Sequence, residues 1–165
     1  MTLLTGPDGS PAASARGGVD NPRMAVHRFS ILVAAPPERV FAAWTDLERV
    51  AEWIGGVTAV SDVTGPVDRA GTRYTVHFGR MRSPTEILEV ERPSHIRTRF
   101  GNMVLNGESD VRFDAEGGGT RLTQEYHTRG ATSAIFARIF ASGSWSGSFR
   151  GELEAFRRMV EAEQA

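Results

Sequence analysis

The feature that most constrains this chain is the way it ends. Phe149, Leu153, Phe156 and Val160 recur at i, i+4, i+7 and i+11, and Trp145 extends the stripe backwards. That spacing predicts a long amphipathic helix whose apolar side must be buried against a second apolar surface. The preceding sequence supplies one. From the end of a helical stretch at Gly55-Gly56 to residue 129, the chain reads as strands of roughly eight to twelve residues. They are separated by turn signals at Gly65-Pro66, Ser83-Pro84, Arg92-Pro93, Gly101-Asn102 and Gly117-Gly118-Gly119.

Alternation assigns the faces of these strands. Tyr74, Val76 and Phe78 share one side. Ile96, Thr98 and Phe100 share another, followed by Leu105, Gly107, Ser109, Val111 and Phe113, then Leu122, Gln124 and Tyr126. Counting VTAVSDV, six strands form this meander. A seventh, AVHRFSILVA (25–34), comes first and places Phe29, Ile31 and Val33 together. Pro36 and Pro37 then stop the strand and open a short helix, ERVFAAW, because proline is tolerated in a helix's first turn. Asp46 is placed to cap a second one, LERVAEW. The order predicts an α+β fold: a seven-stranded, curved antiparallel sheet gripping the long C-terminal helix. Curvature leaves space wherever the helix is not packed down.

Composition narrows the partners. A hydrophobic fraction of 40%, a charged fraction of 24% and a net charge of −1 fit a globular domain with no bulk attraction to nucleic acid or acidic lipid. The absence of cysteine excludes disulfides, thiolate metal sites and a cysteine nucleophile. All nineteen basic residues are arginine, so no lysine Schiff-base chemistry is open to this chain. No stretch approaches the length of a membrane span or a signal peptide, so the domain is expected to be cytoplasmic and without stable membrane insertion. Residues 1–23, rich in Gly, Pro, Ala and Ser, read either as a disordered tail or as sequence upstream of a start at Met24. The ligand-binding domain is then 24–165.

The run ILVAAPPERVFAAWTDLERVAEWIGGV resembles the opening of the START-like superfamily, also called the SRPBCC or Bet v 1-like helix-grip domains. The matching features are Ala35-Pro36, Val40-Phe41, Asp46 and Trp53, then Gly71-Thr72, ILEVERP (87–93), GGTRLTQEY (118–126) and FRGELEAFRRMVE (149–161). The chain is most similar to bacterial members described as polyketide cyclase/dehydrase or lipid-transport proteins. VFAAWTD also resembles the Hsp90-ATPase-activator-homology branch. The resemblance implies a cavity for hydrophobic ligands, but no particular activity.

Polar residues on the predicted inward faces are Tyr74, Thr98, Ser109, Gln124 and Tyr126. They are placed to orient a ligand's oxygens, and they also fit a filled core in which they meet one another or buried water. Phe78, Phe100 and Phe149 supply apolar lining. Arg80 continues the Tyr74 face; it is either a clamp for a carboxylate or phenolate at the cavity mouth or a solvated strand end. Phe136, Phe140 and Trp145 lie where Gly143 and Gly147 each weaken a helix by ~1 kcal/mol. Residues 131–148 are therefore expected to open and close over the cavity.

His27, His77, His95 and His127 are phased to the face away from the helix. None has zinc-site spacing, so no metal is expected, and nothing calls for a cofactor. Glu86, Glu89, Glu91 and Arg92 read as a solvated edge. Three functions follow: a carrier or sensor of a hydrophobic or aromatic small molecule, a cyclase/aromatase- or dehydratase-type enzyme, or a partner-binding module using Arg97, Arg99 and His95 on the outer sheet.

Overall fold

A computed structural model describes residues 25–101, 106–141 and 144–163. The expected tail at 1–23 and Met24 lie outside the described residues. Strand β1 (Ala25–Val33) leads into α1 (Pro37–Trp44), a 3-10 turn (Leu47–Arg49) and α2 (Val50–Trp53). Then come β2 (Ala59–Ser61), β3 (Arg73–Phe78), β4 (Met81–Glu91), β5 (His95–Gly101), β6 (Asn106–Glu116) and β7 (Gly119–Thr128). The chain closes with α3 (Gly130–Ala141) and α4 (Ser144–Ala162). The seven strands form one antiparallel sheet in the order β1-β7-β6-β5-β4-β3-β2. This is the seven-stranded, helix-gripping α+β architecture that the alternating faces and the terminal stripe predict.

Local chemistry explains the helical corner. Pro36 is the N-cap residue and Pro37 the first helical residue of α1, where a missing N–H breaks no helical bond. The Asp46 carboxylate accepts from the N–H of Glu48 at 3.2 Å, capping the turn into α2 as its position predicts. The loop after β1 is tied down twice: Thr120 Oγ1 donates to the Ala35 carbonyl at 2.6 Å, and the Ala34 N–H donates to Glu161 at 2.8 Å.

α4 buries its stripe as expected. Leu153 is 3% exposed, and Phe156 and Val160 are fully buried. Phe156 is the hub of an aromatic cluster. Its ring centroid lies 5.1 Å from Trp44 and 5.0 Å from Trp53, which are themselves 4.7 Å apart. Phe113 on β6 meets Phe41 at 5.3 Å and Trp44 at 6.2 Å. α1, α2, α4 and the sheet are thus joined at one end of the molecule through edge-to-face rings.

Two sequence readings need correction, and one strand departs from simple alternation. The β3–β4 reversal is the two-residue turn Gly79-Arg80, with Gly79 at φ +61°, and not Ser83-Pro84. Pro84 lies within β4, beyond Thr85↔Phe100, the outermost β4–β5 pair, where its missing N–H costs no ladder bond. The register of β4 also shifts between Ile87 and Glu89. This bulge changes the parity of the strand, so Thr85 and Ile87 are buried before it and Val90 is packed against the core after it. Finally, His27 does not share the outer face with the other histidines. It stands opposite Tyr126, in phase with Phe29, Ile31 and Val33, on the helix side of the sheet.

Carboxylates and arginines pair along the outer face. Arg97 bonds Glu108 at 2.7 Å and Glu89 at 3.1 Å, and His95 meets Asp110 at 3.0 Å. Glu86 faces Arg73 at 3.5 Å, while Arg92 reaches Asp68 at 2.8 Å. Such exposed pairs contribute roughly 0–1 kcal/mol each, far less than the buried aromatic hub. Phe156→Ala is expected to lower unfolding free energy in urea by about 3–5 kcal/mol, against less than ~1 kcal/mol for Arg97→Ala. Equal losses for the two variants would contradict this division.

Candidate functional site

The cavity between the sheet and α4 has a volume of about 470 Å³. Its floor is the aromatic corner, where Trp44, Trp53 and Val50 turn one side of their rings or methyls toward it. The wall is the concave face of β3 to β7, and the roof is one turn of α4 carrying Phe149 and Glu152. The volume lies within the range of small-molecule sites, ~300–1,000 Å³.

Sheet register explains why the polar groups converge. Ile87, Thr98, Ser109, Tyr126 and His27 form one row across β4, β5, β6, β7 and β1. The adjacent row runs through Tyr74, Thr85, Phe100, Gly107 and Thr128. Gly107 has a packing reason: a Cβ there would lie 2.7 Å from the His127 carbonyl and 3.1 Å from the Phe100 ring. Without it, Phe100 can lean in to meet Tyr126 edge-on at 5.9 Å. Tyr126 also packs against Phe149 at 5.0 Å, and Phe149 stacks on Phe29 at 5.5 Å.

Within this wall, Gln124 Nε2 donates to the Tyr126 hydroxyl at 2.8 Å and to Ser109 Oγ at 3.3 Å. Gln124 and Ser109 are each 8% exposed. The amide therefore fixes the direction of the phenol and hydroxyl, giving a preorganised polar strip in an otherwise apolar wall. Desolvation pushes the Tyr74 hydroxyl up to about 12. Tyr126 is raised further by burial and by the Glu152 charge, against the Gln124 hydrogen bond that lowers it. Both phenols stay protonated at neutral pH.

Tyr74, Phe78, Thr98, Phe100, Ser109, Gln124, Tyr126 and Phe149 all line this one space. Arg80 does not: it occupies the exposed β3–β4 turn, because the strand ends two residues earlier than its alternation suggests. The side chains of Phe136, Phe140 and Trp145, and with them the expected gate, lie outside the described residues. No group of three or more potential metal ligands is assembled among the described residues.

Glu152 is the cavity residue that the sequence reading missed. It stands one turn after Phe149, with the backbone N–H of Gly55 donating to its carboxylate. Burial pushes its carboxyl up to about 7, and that hydrogen bond only partly offsets the rise. A signal was present: positions 149, 152, 153 and 156 make the broad inward face of a helix, and Glu152 puts a carboxylate where an apolar residue belongs.

A broader concavity, about 1010 Å³, takes in Arg73, Glu86, Arg97, Arg99, Glu108, Asp110 and His127. Its acidic and basic groups largely pair with one another: Arg99 adds a 3.4 Å contact to Glu108, and His127 approaches Glu125 at 3.3 Å. The smaller apolar space, with its convergent polar strip, has the chemistry of a ligand site.

The raised Glu152 fixes the sign of a pH effect. The folded state holds this proton more tightly than the unfolded chain, so its favourable contribution is complete below the ordinary carboxylate range. It is lost as pH rises through about 7. Urea unfolding should find Glu152→Gln equal to the parent near pH 4 and more stable by ~1–2 kcal/mol near pH 8, the figure reduced for partial exposure. A difference independent of pH would contradict the buried carboxyl.

Comparison with known proteins agrees with this geometry. Residues 24–161 match the family model described as polyketide cyclase / dehydrase and lipid transport. No curated protein matches the chain at a significant level. Among solved structures, protein MLL2253 from Mesorhizobium loti is similar with a TM-score of 0.67 at 15% identity, over 84% of this chain and 98% of that one. Ara h 8.0201 superposes with a TM-score of 0.61 at 13% identity, over 85% and 99%. DynU16, a putative protein in the dynemicin biosynthetic locus, gives 0.63 at 22% identity, over 82% of this chain and 47% of its own. At these identities the structures speak for the fold alone. The family match over nearly the whole described chain completes the case: the protein belongs to the polyketide cyclase/dehydrase and lipid transport family, within the START-like (SRPBCC) superfamily.

Proposed function

We propose that this protein binds a hydrophobic or aromatic small molecule between its sheet and α4, as a carrier or sensor. The observation that carries this reading is the cavity of about 470 Å³, apolar over most of its wall, with Ser109, Gln124 and Tyr126 tied into one polar strip. Apolar body and oriented polar edge are what a ligand with a ring and a hydrogen-bonding substituent requires. The family's printed description, with its cyclases, dehydrases and lipid transporters, supports an apolar ligand.

One observation favours a second reading, an enzyme of the cyclase/aromatase or dehydratase type. Glu152, near neutrality in its proton affinity, interacts with the Tyr126 phenol across the cavity wall. A group balanced near the working pH is suited to proton transfer. The partner-module reading draws less support, because Arg97 and Arg99 already pair with Glu89 and Glu108, and His95 with Asp110.

The neutral fluorophore N-phenyl-1-naphthylamine tests the binding reading. It should brighten and shift to the blue with the parent protein. Thr98→Trp, which fills the middle of the inner row, should weaken its binding by about tenfold or more while the melting transition is retained. Binding that is indifferent to Thr98→Trp would place the probe elsewhere and sink the proposal. Turnover is separated from carriage by mass spectrometry of any molecule retained from the native host: a carrier returns it unchanged, and an enzyme converts it.

A further inference from the structure

The cavity has an asymmetry of charge that narrows its ligand class. Nineteen arginines are present in the chain, yet among the described residues none lines the cavity, and neither does any histidine. Apart from the two protonated phenols, Glu152 is the only ionisable side chain lining the cavity among the described residues. It accepts the Gly55 N–H, and among the described residues no arginine shifts its proton affinity. A carboxylate removed from water without a counter-cation is costly, and a positive group on a ligand relieves that cost.

We infer that the ligand is an aromatic or otherwise apolar amine, its cationic nitrogen set against Glu152 and its apolar body against Phe149, Tyr126 and Phe100. This rests on the cavity being the binding site. It excludes fatty acids and other carboxylates as preferred ligands, since their charge would meet Glu152 with no cation to share. Geometry supports the placement. Glu152 and Phe149 are three residues apart on α4, so one helical face offers an acceptor beside an aromatic surface. Phe149 packs on Tyr126, whose hydroxyl accepts from Gln124.

The other titratable groups around Glu152 leave it as the one that changes charge near neutrality. On β7 and β3, Tyr126 and Tyr74 are held protonated. On β1, inward-facing His27 is lowered by burial and stays neutral above its ordinary range. On α2 and the turn before it, Glu52 and Arg49 pair with each other at 2.9 Å on the exposed side. Amine binding should therefore strengthen as Glu152 ionises.

The test uses three probes of one shape: 1-naphthylmethylamine, 1-naphthylmethanol and 1-naphthoate, titrated calorimetrically into the full chain and into Glu152→Gln. At pH 8 the parent should bind the amine about tenfold tighter than the alcohol, and the alcohol about tenfold tighter than the carboxylate. From pH 8 to pH 6.5 the amine's advantage should fall about fourfold as Glu152 takes up its proton. Glu152→Gln should bring all three probes within about threefold of one another, and a retained cooperative melting transition shows that the variant is folded. Alcohol binding without amine preference in the parent, or an amine preference that survives Glu152→Gln, overturns this inference and leaves the cavity reading intact. If no probe binds, the cavity reading fails and takes the inference with it.

Discussion

The structure depends on how α4 is held against the sheet by rings at two places, Phe156 and Phe149. Phe156 is wedged between Trp44 and Trp53, and those rings lean on Phe113 of the sheet. Packing of this kind fixes the helix against the curved sheet at the Val160 end. At Phe149 the helix rests on Phe29 and Tyr126, while the middle of the cavity wall carries the small Thr98 and Ser109. Small residues opposite a pinned helix cannot fill the gap by themselves. The void is lined by rings of both contacts and lies over the small Thr98 and Ser109, under a sheet that twist and the β4 bulge keep concave.

The two faces of the sheet divide the electrostatic work. Outside, Glu86, Glu89, Glu108, Asp110 and Glu125 meet arginines or histidines along neighbouring strands. These pairs are screened by water and contribute little to stability, but they leave few charges unmatched. Inside, the polar groups are neutral and tied to one another, with Glu152 as the exception. The difference between a balanced exterior and an interior with one carboxyl gives the cavity its chemical direction.

Much of this was legible in the sequence, for identifiable reasons. Strict alternation in HIRTRF, SDVRF and TRLTQEY marked the inner rows, because side chains on a half-buried strand have only two directions to take. The i, i+4, i+7 stripe fixed the inner side of α4. Where the reading failed, a local rule gave way to another. Arg80 was assigned inward by extending alternation through Gly79, whose positive φ instead closes a two-residue turn. His27 was misphased although its neighbours Phe29 and Ile31 already declared the face. Glu152 was passed over because a narrow stripe was sought where a helix gripped by a sheet buries a broad one.

Everything here rests on an interior space that the protein's own side chains leave open. A crystal of the protein pressurised with xenon measures that directly, since xenon enters apolar voids and scatters strongly. Xenon density bounded by Tyr74, Ile87, Val111 and Phe149 is the predicted result. A crystal in which those side chains meet one another, with no xenon between sheet and helix, would contradict the account.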